Sequence, residues 1–279
     1  MTMRNFEGRT AVVTGAAKGQ GRSHAIALAQ RGANLVLVDI AAQIPCASRM
    51  ATPEELDETA RIVESLGAPC LTLKADTRSP EQMRDVVAAT VERFGRVDVL
   101  LANAGIAAFG PVREMADDVW RDVVDVNLGG VAASIRAVAP VMAAQRSGRI
   151  VATASSVGRE GGPNNANYAA SKWGVIGLVK SVAIELAPYG VTVNAFSPMS
   201  VSTDMCHNDL TYGLFRPDLE APTTDDVRAT FATLNPMAVP WIEVGDATEA
   251  VLFLASDEAR YITGTALDVA GGWNAFHSA

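Results

Sequence analysis

The sequence is poor in the residues that build disulfide frameworks and metal sites. Cysteine occurs three times in 279 residues, at Cys46, Cys70 and Cys206. Histidine also occurs three times, at His24, His207 and His277. The cysteines are odd in number and widely spaced, the chain has no CxxC, and the histidines form no ligand-like group. We therefore expect reduced thiols, no metal site and a cytoplasmic location.

Basic residues and long apolar runs are also scarce. Lys and Arg number 23 against 31 Asp and Glu, so the net charge is −8 and no basic stripe would attract a nucleic acid. No run approaches the ~18 apolar residues that a membrane span requires. Residues 1–8 also lack the apolar core of a signal peptide. We expect neither a nucleic-acid partner nor a membrane segment.

Short apolar runs and helical stretches alternate along the chain. The runs typical of buried parallel strands are 9–14, 34–38, 71–75, 97–102, 149–154, 191–196 and 265–269. The helical stretches between them are 22–31, 53–67, 79–95, 116–145, 165–189 and 246–256. Such alternation predicts a parallel sheet with helices on both faces. With no repeat and no linker, we expect one doubly wound, seven-stranded α/β (Rossmann) domain over residues 1–279.

A glycine-rich turn, 15–21 (GAAKGQG), joins the first strand to the first helix. Such a turn lets the backbone approach a pyrophosphate, which the free N–H groups of the helix start then stabilise. The spacing is GxxxGxG rather than GxGxxG, so the general dinucleotide fingerprint fits only loosely. The candidate cofactor residues of this turn are Gly15, Lys18, Gly19, Gln20 and Gly21.

Asp39 ends the second strand, about 20 residues after the glycine turn. A carboxylate there suits the two ribose hydroxyls of NAD and repels the extra phosphate of NADP. Lys18 is the competing feature, because a cation in the turn could bind that phosphate. Asp39 could also be a solvated strand-end residue. Since Asp39 lies at the deciding position, the sequence predicts NAD.

Tyr168 and Lys172 lie four residues apart in the stretch 165–189, on one face of a helix. Free tyrosine titrates near pKa ~10, too high for a base at neutral pH. A nearby ammonium would lower the pKa and make the pair a proton-transfer device. Alone this spacing is weak evidence, because it occurs by chance on many helices.

Together these motifs resemble the short-chain dehydrogenase/reductase family over nearly the whole chain. The segment 14–21 (TGAAKGQG) matches the family's TGxxxGxG, and residues 103–105 match its NAG turn. Asn127 matches its helix asparagine, and Tyr168 with Lys172 matches its YxxxK. The resemblance implies oxidation of an alcohol with NAD, with Tyr168 as general base and Lys172 on the nicotinamide ribose. It also implies that Asn127 interrupts its helix and holds a water for proton exchange.

The resemblance also requires a serine that holds the substrate oxygen, and two are adjacent. Ser155 lies thirteen residues before Tyr168 and has Gly158 three positions after it, as is usual in the family. Ser156 would serve if the loop carried a one-residue deletion. Successive strand residues point to opposite faces, so both cannot serve equally. We favour Ser155.

Further cofactor contacts follow from the resemblance alone. They are Asp76, Thr77, Asn103, Ala104, Gly105, Pro198, Val201 and Thr203. Asp76 has a plain alternative as a helix-capping residue. The chain departs from the family at Met199, where a glycine is usual, and that puts the local loop path in question.

Two segments narrow the resemblance to the carveol dehydrogenase or mycofactocin-coupled branch. Residues 40–52 form an insertion near the cofactor, and residues 199–241 form a substrate lid region. In that branch the insertion is thought to cover bound NAD, which an external redox carrier then reoxidises. The hypothesis is that residues 40–52 slow NAD release; the alternative is a surface loop without consequence.

The lid predicts a hydrophobic substrate. Its apolar residues are Met199, Met205, Tyr212, Leu214, Phe215, Phe231 and Trp241, about half of which could simply pack the lid. We expect a hydrophobic secondary alcohol or ketone, such as a cyclic terpenoid. The resemblance also implies a homotetramer. Two alternatives are an NADPH-dependent 3-ketoacyl or ketosteroid reductase, which Asp39 opposes, and a non-catalytic nucleotide sensor, which the complete catalytic set opposes.

Overall fold

Seven parallel strands form one sheet in the computed structural model of the protein, which describes residues 5–276. His277 and the first four residues lie outside that range. The strands are β1 (Thr10–Thr14), β2 (Asn34–Asp39), β3 (Cys70–Lys74), β4 (Val99–Ala102), β5 (Gly148–Thr153), β6 (Val191–Pro198) and β7 (Ala266–Val269). They lie in the order β3-β2-β1-β4-β5-β6-β7. The predicted doubly wound fold is confirmed.

Helices cover both faces of this sheet. They are α1 (Gly19–Gln30), α2 (Pro53–Ser65), α3 (Pro80–Phe94), α4 (Asp117–Val124), α5 (Gly130–Gln145), α6 (Ala166–Leu186), α7 (Asp209–Phe215), α8 (Thr224–Ala232) and α9 (Val244–Ala255). Neighbouring residues of β1 serve opposite faces, since strand side chains alternate. Val12 packs into the core with α3, α5 and α6, and Val13 into the core with α1, α2 and α9.

Local sequence signals set the helix starts. At α2 the Thr52 side chain accepts from the Glu55 backbone and the Glu55 side chain accepts in return from Thr52, with Pro53 first in the helix. This is a capping box, which satisfies backbone donors that the helix leaves free. At α3 the Ser79 side chain accepts from the Gln82 backbone. Both predicted helix starts are confirmed.

The predicted helix 116–145 is not one regular helix. It consists of α4, a π-helical turn at Asp125–Gly129, and α5. By length and composition alone this stretch, Asp117–Gln145, could cross a membrane, but 56% of its most apolar window is buried in the protein. A core helix gives the same signal, so it is weak evidence for a span.

Candidate active site

Two adjoining clefts open where the strand order changes direction, at the carboxyl ends of β1 and β4. Ligands of open α/β sheets bind at such a switch point. The first cleft is lined by the glycine turn, Asp39, the insertion and residues 75–77 after β3. The second cleft is lined by Ser155, Tyr168, Lys172 and the lid. Among the predicted site residues, Gly21 and Asn127 line neither cleft.

The glycine turn leaves no room for side chains. Gly15 and Gly19 have φ of +68° and +55°, a backbone conformation that L side chains rarely adopt. A Cβ at Gly21 would lie 2.0 Å from the carbonyl oxygen of Gly15. Gly21 therefore shapes the turn from beneath, while Gly15, Lys18, Gly19 and Gln20 face the first cleft.

Asp39 is fixed by two backbone donors. Ala17 N donates to one carboxylate oxygen at 3.1 Å and Ala41 N to the other at 2.9 Å. Burial raises the pKa of Asp39, and these two hydrogen bonds with the charge of Lys18 oppose that rise. The carboxylate is thus held in the wall of the first cleft with lone pairs left for a ligand's hydroxyls.

The insertion folds as an ordered cover over the first cleft. Gln43 organises it: its amide nitrogen donates to the carbonyls of Ile44, Ala47 and Ser48, at 2.8, 3.0 and 3.3 Å. Its amide oxygen accepts from Met50 N at 3.1 Å. Residues 47–51 line the cleft.

The insertion's apolar side chains anchor it toward the catalytic side. Ile44 is buried in a cluster with Ile106, Val123 and Val126, and Tyr168 packs against that cluster. The cover is therefore attached to the protein by buried contacts and is not a free surface loop.

Three charged residues of the first cleft contact one another: Lys18, Arg49 and Asp204. We call this group the Asp204 clasp. Lys18 Nζ donates to the Asp204 carboxylate at 2.6 Å and to the Arg49 carbonyl at 2.9 Å. Arg49 donates to Asp204 at 2.9 Å and to Glu55 at 2.7 Å. The hydrogen bond from Lys18 lowers the pKa of Asp204. The clasp joins the glycine turn, the insertion and the lid, and it engages the cation that could have bound a 2′-phosphate.

Asp76 lies in the wall of the first cleft, but its carboxylate is engaged. The Arg78 guanidinium donates to it at 2.7 and 2.9 Å, and the Arg78 backbone donates to it at 2.9 Å. Thr77 also lines the cleft and packs on Gly130, where a Cβ would lie 2.5 Å from the Thr77 hydroxyl. These contacts hold the turn before α3, whose N-cap is Ser79, so Asp76 does not cap that helix. Its adenine contact stays a prediction.

The turn after β4 is attached to the end of β1. The Thr14 hydroxyl accepts from Asn103 N at 3.0 Å and from Ala104 N at 3.1 Å. Asn103 Nδ2 donates to the Thr14 carbonyl at 3.1 Å. Gly105 follows, and a Cβ there would lie 3.2 Å from Asn127 Oδ1 and 3.6 Å from Lys172 Nζ. This turn therefore lies between the first cleft and the side chains of Asn127 and Lys172.

Asn127 is fully buried in the π-helical turn. Its Oδ1 accepts from Ile106 N at 2.8 Å and its Nδ2 donates to the Ile106 carbonyl at 2.9 Å. Nδ2 also lies 3.2 Å from the Ser171 hydroxyl on α6. The predicted interruption of the helix at Asn127 is present. The Asn127 side chain links the π-helical turn to the segment after β4 and to α6.

Tyr168 and Lys172 lie on α6 with their functional groups at the second cleft. Lys172 Nζ donates to the Thr153 carbonyl at 2.8 Å and lies 5.5 Å from the centre of the Tyr168 ring. Burial lowers the pKa of Lys172 to about 8. Burial raises the pKa of Tyr168, and the hydrogen bond with Ser155 lowers it. We expected Lys172 to lower the Tyr168 pKa; here the lowering contact comes from Ser155.

The two adjacent serines differ in what they contact. Ser155 is buried at 7% exposure, hydrogen-bonds Tyr168, and accepts from Val157 N at 3.3 Å. Ser156 begins the short 3₁₀ helix Ser156–Arg159. At Gly158 a Cβ would lie 3.1 Å from the Lys172 carbonyl oxygen, so a side chain there would press this helix away from α6 by a few tenths of an ångström. The arrangement favours Ser155.

The segment after β6 does not need the glycine that Met199 replaces. Met199 N donates to the Val269 carbonyl at 3.1 Å and continues the pairing of β6 with β7 through Pro198. Met199 does not adopt a left-handed backbone. Val201 bridges to Ile242, and both Val201 and Thr203 line the second cleft.

The second cleft is mainly apolar and encloses about 190 Å³. An engineered cavity of about 150 Å³ holds benzene, so a single substituted ring is of suitable size. Of the seven apolar lid residues, four line the cleft: Met199, Met205, Leu214 and Phe215. The other three, Tyr212, Phe231 and Trp241, do not line it and pack within the lid.

Sequence reasoning missed the residues that act across long distances. Arg49 and Asp204 carried no local signal, because each is an ordinary charged loop residue until the other is beside it. Sequence reasoning also missed Gln43 and His207, whose hydrogen-bond partners are close in sequence, because only the folded loop brings those partners into line.

The first cleft fits a dinucleotide. The glycines provide a cradle that side chains would fill, and Asp39 offers acceptors for ribose hydroxyls. The buried Gln20 Oε1 has no hydrogen-bond partner among residues 5–276, and Gln20 lines both clefts. A donor group on a ligand spanning the two clefts would satisfy that oxygen.

The chain is similar in sequence and in structure to several known proteins. The family model described as short chain dehydrogenase matches residues 9–211. A (−)-trans-carveol dehydrogenase from Rhodococcus erythropolis is 43% identical over 273 residues, 97% of this chain and 99% of that protein. A crystal structure of carveol dehydrogenase from Mycobacterium avium in complex with NAD has a TM-score of 0.94 and 43% identity, covering 96% of this chain and 98% of that one. A 3-oxoacyl-acyl-carrier-protein reductase from Staphylococcus aureus is 36% identical over 264 residues, 95% of this chain and 97% of that protein.

Proposed function

Because the chain belongs to the short-chain dehydrogenase family, we propose that it oxidises a hydrophobic, cyclic secondary alcohol of the carveol type to the ketone, with NAD as hydride acceptor. The enzyme is an NAD-dependent short-chain dehydrogenase. The observation that carries the substrate class is the apolar second cleft, which reaches Tyr168 and is of a size for one substituted ring.

The reaction follows from the groups at the second cleft. Ser155 holds the substrate hydroxyl beside Tyr168, a positioning role. Tyr168 as phenolate takes the hydroxyl proton, which passes on to solvent. The glycine turn and Asp39 would hold NAD, which would supply the acceptor for the hydride of the carbinol carbon. Lys172 would bind the nicotinamide ribose, while the hydrogen bond from Ser155 lowers the pKa of Tyr168. Asn127 keeps the turn at Ile106 in place.

The contacts of Asp39 and Lys18 support NAD over NADP. Asp39 places negative charge where the ribose hydroxyls of NAD would bind, and Lys18 is held by Asp204 and the Arg49 carbonyl. A 2′-phosphate would meet a carboxylate and find that cation already paired. The alternative of an NADPH-dependent ketoacyl reductase rests on the 36% identical relative. A non-catalytic sensor has no need of the complete Ser155, Tyr168 and Lys172 arrangement.

We also propose that the insertion retains NAD between turnovers. Its support is the cover that residues 47–51 form over the first cleft and the clasp that holds the cover to the lid. An external redox carrier would then reoxidise the cofactor in place. The resemblance to the mycofactocin-coupled branch implies the same behaviour.

Assembly and location complete the proposal. We propose a cytoplasmic homotetramer. Its support is apolar surface on the helices that would form the contact, with Trp173 and Ile184 of α6 exposed at 52% and 77%. The three cysteines are free, as in a reducing compartment.

The identity of the retained cofactor tests this proposal directly. The protein is purified without added nucleotide, denatured, and the released nicotinamide nucleotide is identified and counted. We expect close to one NAD per chain, because the clasp and the cover oppose release. Released NADP would contradict the Asp39 assignment. An empty protein that turns over with added NAD would reduce the insertion to a surface loop and leave the dehydrogenase assignment intact.

Removing the charge of Asp204 should speed NAD release. Asp204→Asn breaks the clasp at its shared acceptor. We expect release about 3- to 10-fold faster, because partly exposed ion pairs contribute about 1 kcal/mol or less each. Stopped-flow measurement of NAD leaving the protein provides the rate.

A matched control and a salt series separate the clasp from general effects. Asp225→Asn makes the same change in the lid at a carboxylate that is 97% exposed, and its rate should equal that of the wild type. Release from the wild type should also rise with ionic strength, which screens exposed charges. That salt dependence should be weaker in Asp204→Asn, and equal dependence in both proteins would reject the clasp.

A further inference from the structure

His207 lies at a crossing point of the lid. The backbone N–H groups of Cys206 and His207 both donate to the Thr203 carbonyl, at 2.9 and 2.8 Å. Thr203 lines both clefts. The turn that carries the histidine is therefore attached directly to the segment between the cofactor and the substrate.

Both ring nitrogens of His207 are hydrogen-bonded. Nε2 lies 3.1 Å from the Ser202 hydroxyl and Nδ1 lies 3.0 Å from the Tyr212 hydroxyl. The Tyr212 hydroxyl continues to Thr224 at 2.8 Å. A neutral imidazole donates at one nitrogen and accepts at the other, so it can join two hydroxyls across a gap. Four side chains thus form one continuous polar chain inside the lid, from Ser202 to Thr224.

The two ends of this chain belong to different functional surfaces. Ser202 stands between Val201 and Thr203, two positions at which the family resemblance implies contact with the nicotinamide carboxamide; we call residues 201–203 the nicotinamide loop. Ser202 N donates to the Ile242 carbonyl at 2.9 Å. Tyr212 is on α7, the helix whose Leu214 and Phe215 line the second cleft. The hydrogen-bonded chain therefore spans from the loop beside the cofactor to the wall of the substrate cleft.

Packing holds the ring in that position. The His207 ring meets Trp241 edge-on at 4.7 Å between centroids, and the Arg228 guanidinium lies 4.6 Å from the centre of the Trp241 ring. Tyr212 is itself buried at 7% exposure in the small lid core with Val227 and Phe231. A side chain that packs edge-on against Trp241 and is hydrogen-bonded at both nitrogens sets a distance rather than filling space.

We propose that His207 is a positioning residue that sets the distance between the α7 wall of the second cleft and the nicotinamide loop, and so selects which alcohols are oxidised. The inference rests on the proposed dehydrogenase function. An alcohol that contains a ring reaches across the cleft: its hydroxyl lies at Tyr168 and its ring contacts Leu214 or Phe215 on α7. A small alcohol can reach Tyr168 without contacting α7. Loss of the His207 hydrogen bonds should therefore weaken binding of a ring-containing alcohol and leave oxidation of a small alcohol unchanged.

The test compares two alcohols in matched variants. His207→Phe keeps a planar ring against Trp241 and removes both hydrogen bonds; Tyr212→Phe removes one hydroxyl only. Thr233→Val removes a hydroxyl that donates to the Thr230 carbonyl at the end of α8, outside the chain, and serves as control. Each protein is assayed with carveol and with propan-2-ol, using added NAD or an artificial electron acceptor.

We expect His207→Phe to raise KM for carveol about tenfold, the cost of one or two orienting hydrogen bonds. Its kcat/KM for propan-2-ol should stay within about twofold of the wild type. Tyr212→Phe should show a smaller shift in the same direction, and Thr233→Val none. A lid that is merely destabilised would lower both activities together, and an unchanged carveol-to-propan-2-ol ratio in both variants would overturn the inference. A wild type that oxidises neither alcohol would instead reject the proposed function, and the inference with it.

Discussion

Tyr168→Phe should lower kcat for alcohol oxidation by about 10³-fold, because removal of a positioned general base costs about 10² to 10⁴. The phenyl ring keeps the packing of Tyr168 against the apolar cluster of Ile44 and Ile106. NAD binding should change little, since the glycine turn and Asp39 are untouched. Steady-state turnover and the NAD content of the purified variant measure the two effects separately.

The adjacent serines provide the matched control for that result. Ser155→Ala removes the hydroxyl that hydrogen-bonds Tyr168 and should lower kcat by about 10²-fold. Ser156→Ala makes the same change one residue later and should stay near the wild type. Unaltered oxidation in Tyr168→Phe would end the proposed mechanism, and a larger loss in Ser156→Ala than in Ser155→Ala would reassign the serine.

Asp39→Asn should weaken NAD binding about 10²-fold. Hydrogen bonds to a charged group contribute about 1.5–3 kcal/mol, and 2.7 kcal/mol is about a hundredfold. The ratio of the NADP and NAD dissociation constants should fall mainly because NAD binds more weakly. NADP should gain little affinity, since Lys18 stays paired with Asp204. Titration of nucleotide-free protein with both nucleotides gives the two dissociation constants.

Asp57→Asn, on the exposed side of α2, is the control and should bind NAD like the wild type. The substitution at Asp39 also disturbs the hydrogen bond to Ala41 N, where the insertion begins. The NAD content of the purified variant should therefore fall as well. A variant that binds NAD as tightly as before and still rejects NADP would show that discrimination lies elsewhere in the first cleft.

The fold could be predicted because its signals are local. A buried strand, a glycine turn and a capped helix each depend on residues within a few positions, and right-handed crossovers then leave few topologies. The interruption at Asn127 was predicted only through the family resemblance. The apolar pattern of 116–145 by itself gives no sign that the Asn127 side chain bonds to Ile106, 21 positions away, in a π-helical turn.

The catalytic residues show the same division. The four-residue spacing of Tyr168 and Lys172 places them on one helix face whatever the rest of the chain does. Their charges do not follow from spacing, because burial lowers the pKa of Lys172 to about 8 and raises that of Tyr168. Burial depends on how β5, the insertion and the lid enclose α6.

The sheet, the glycine turn, the strand-end carboxylate and the Tyr–Lys face could be predicted from the amino-acid order, because short-range backbone geometry sets each of them. The clasp of Lys18, Arg49 and Asp204, and the position of His207 between the nicotinamide loop and α7, appear only in the folded protein. Lys18 and Asp204 are 186 positions apart. A contact of this kind carries no local pattern, since its energy exists only after the sheet has brought the two loops to the same edge.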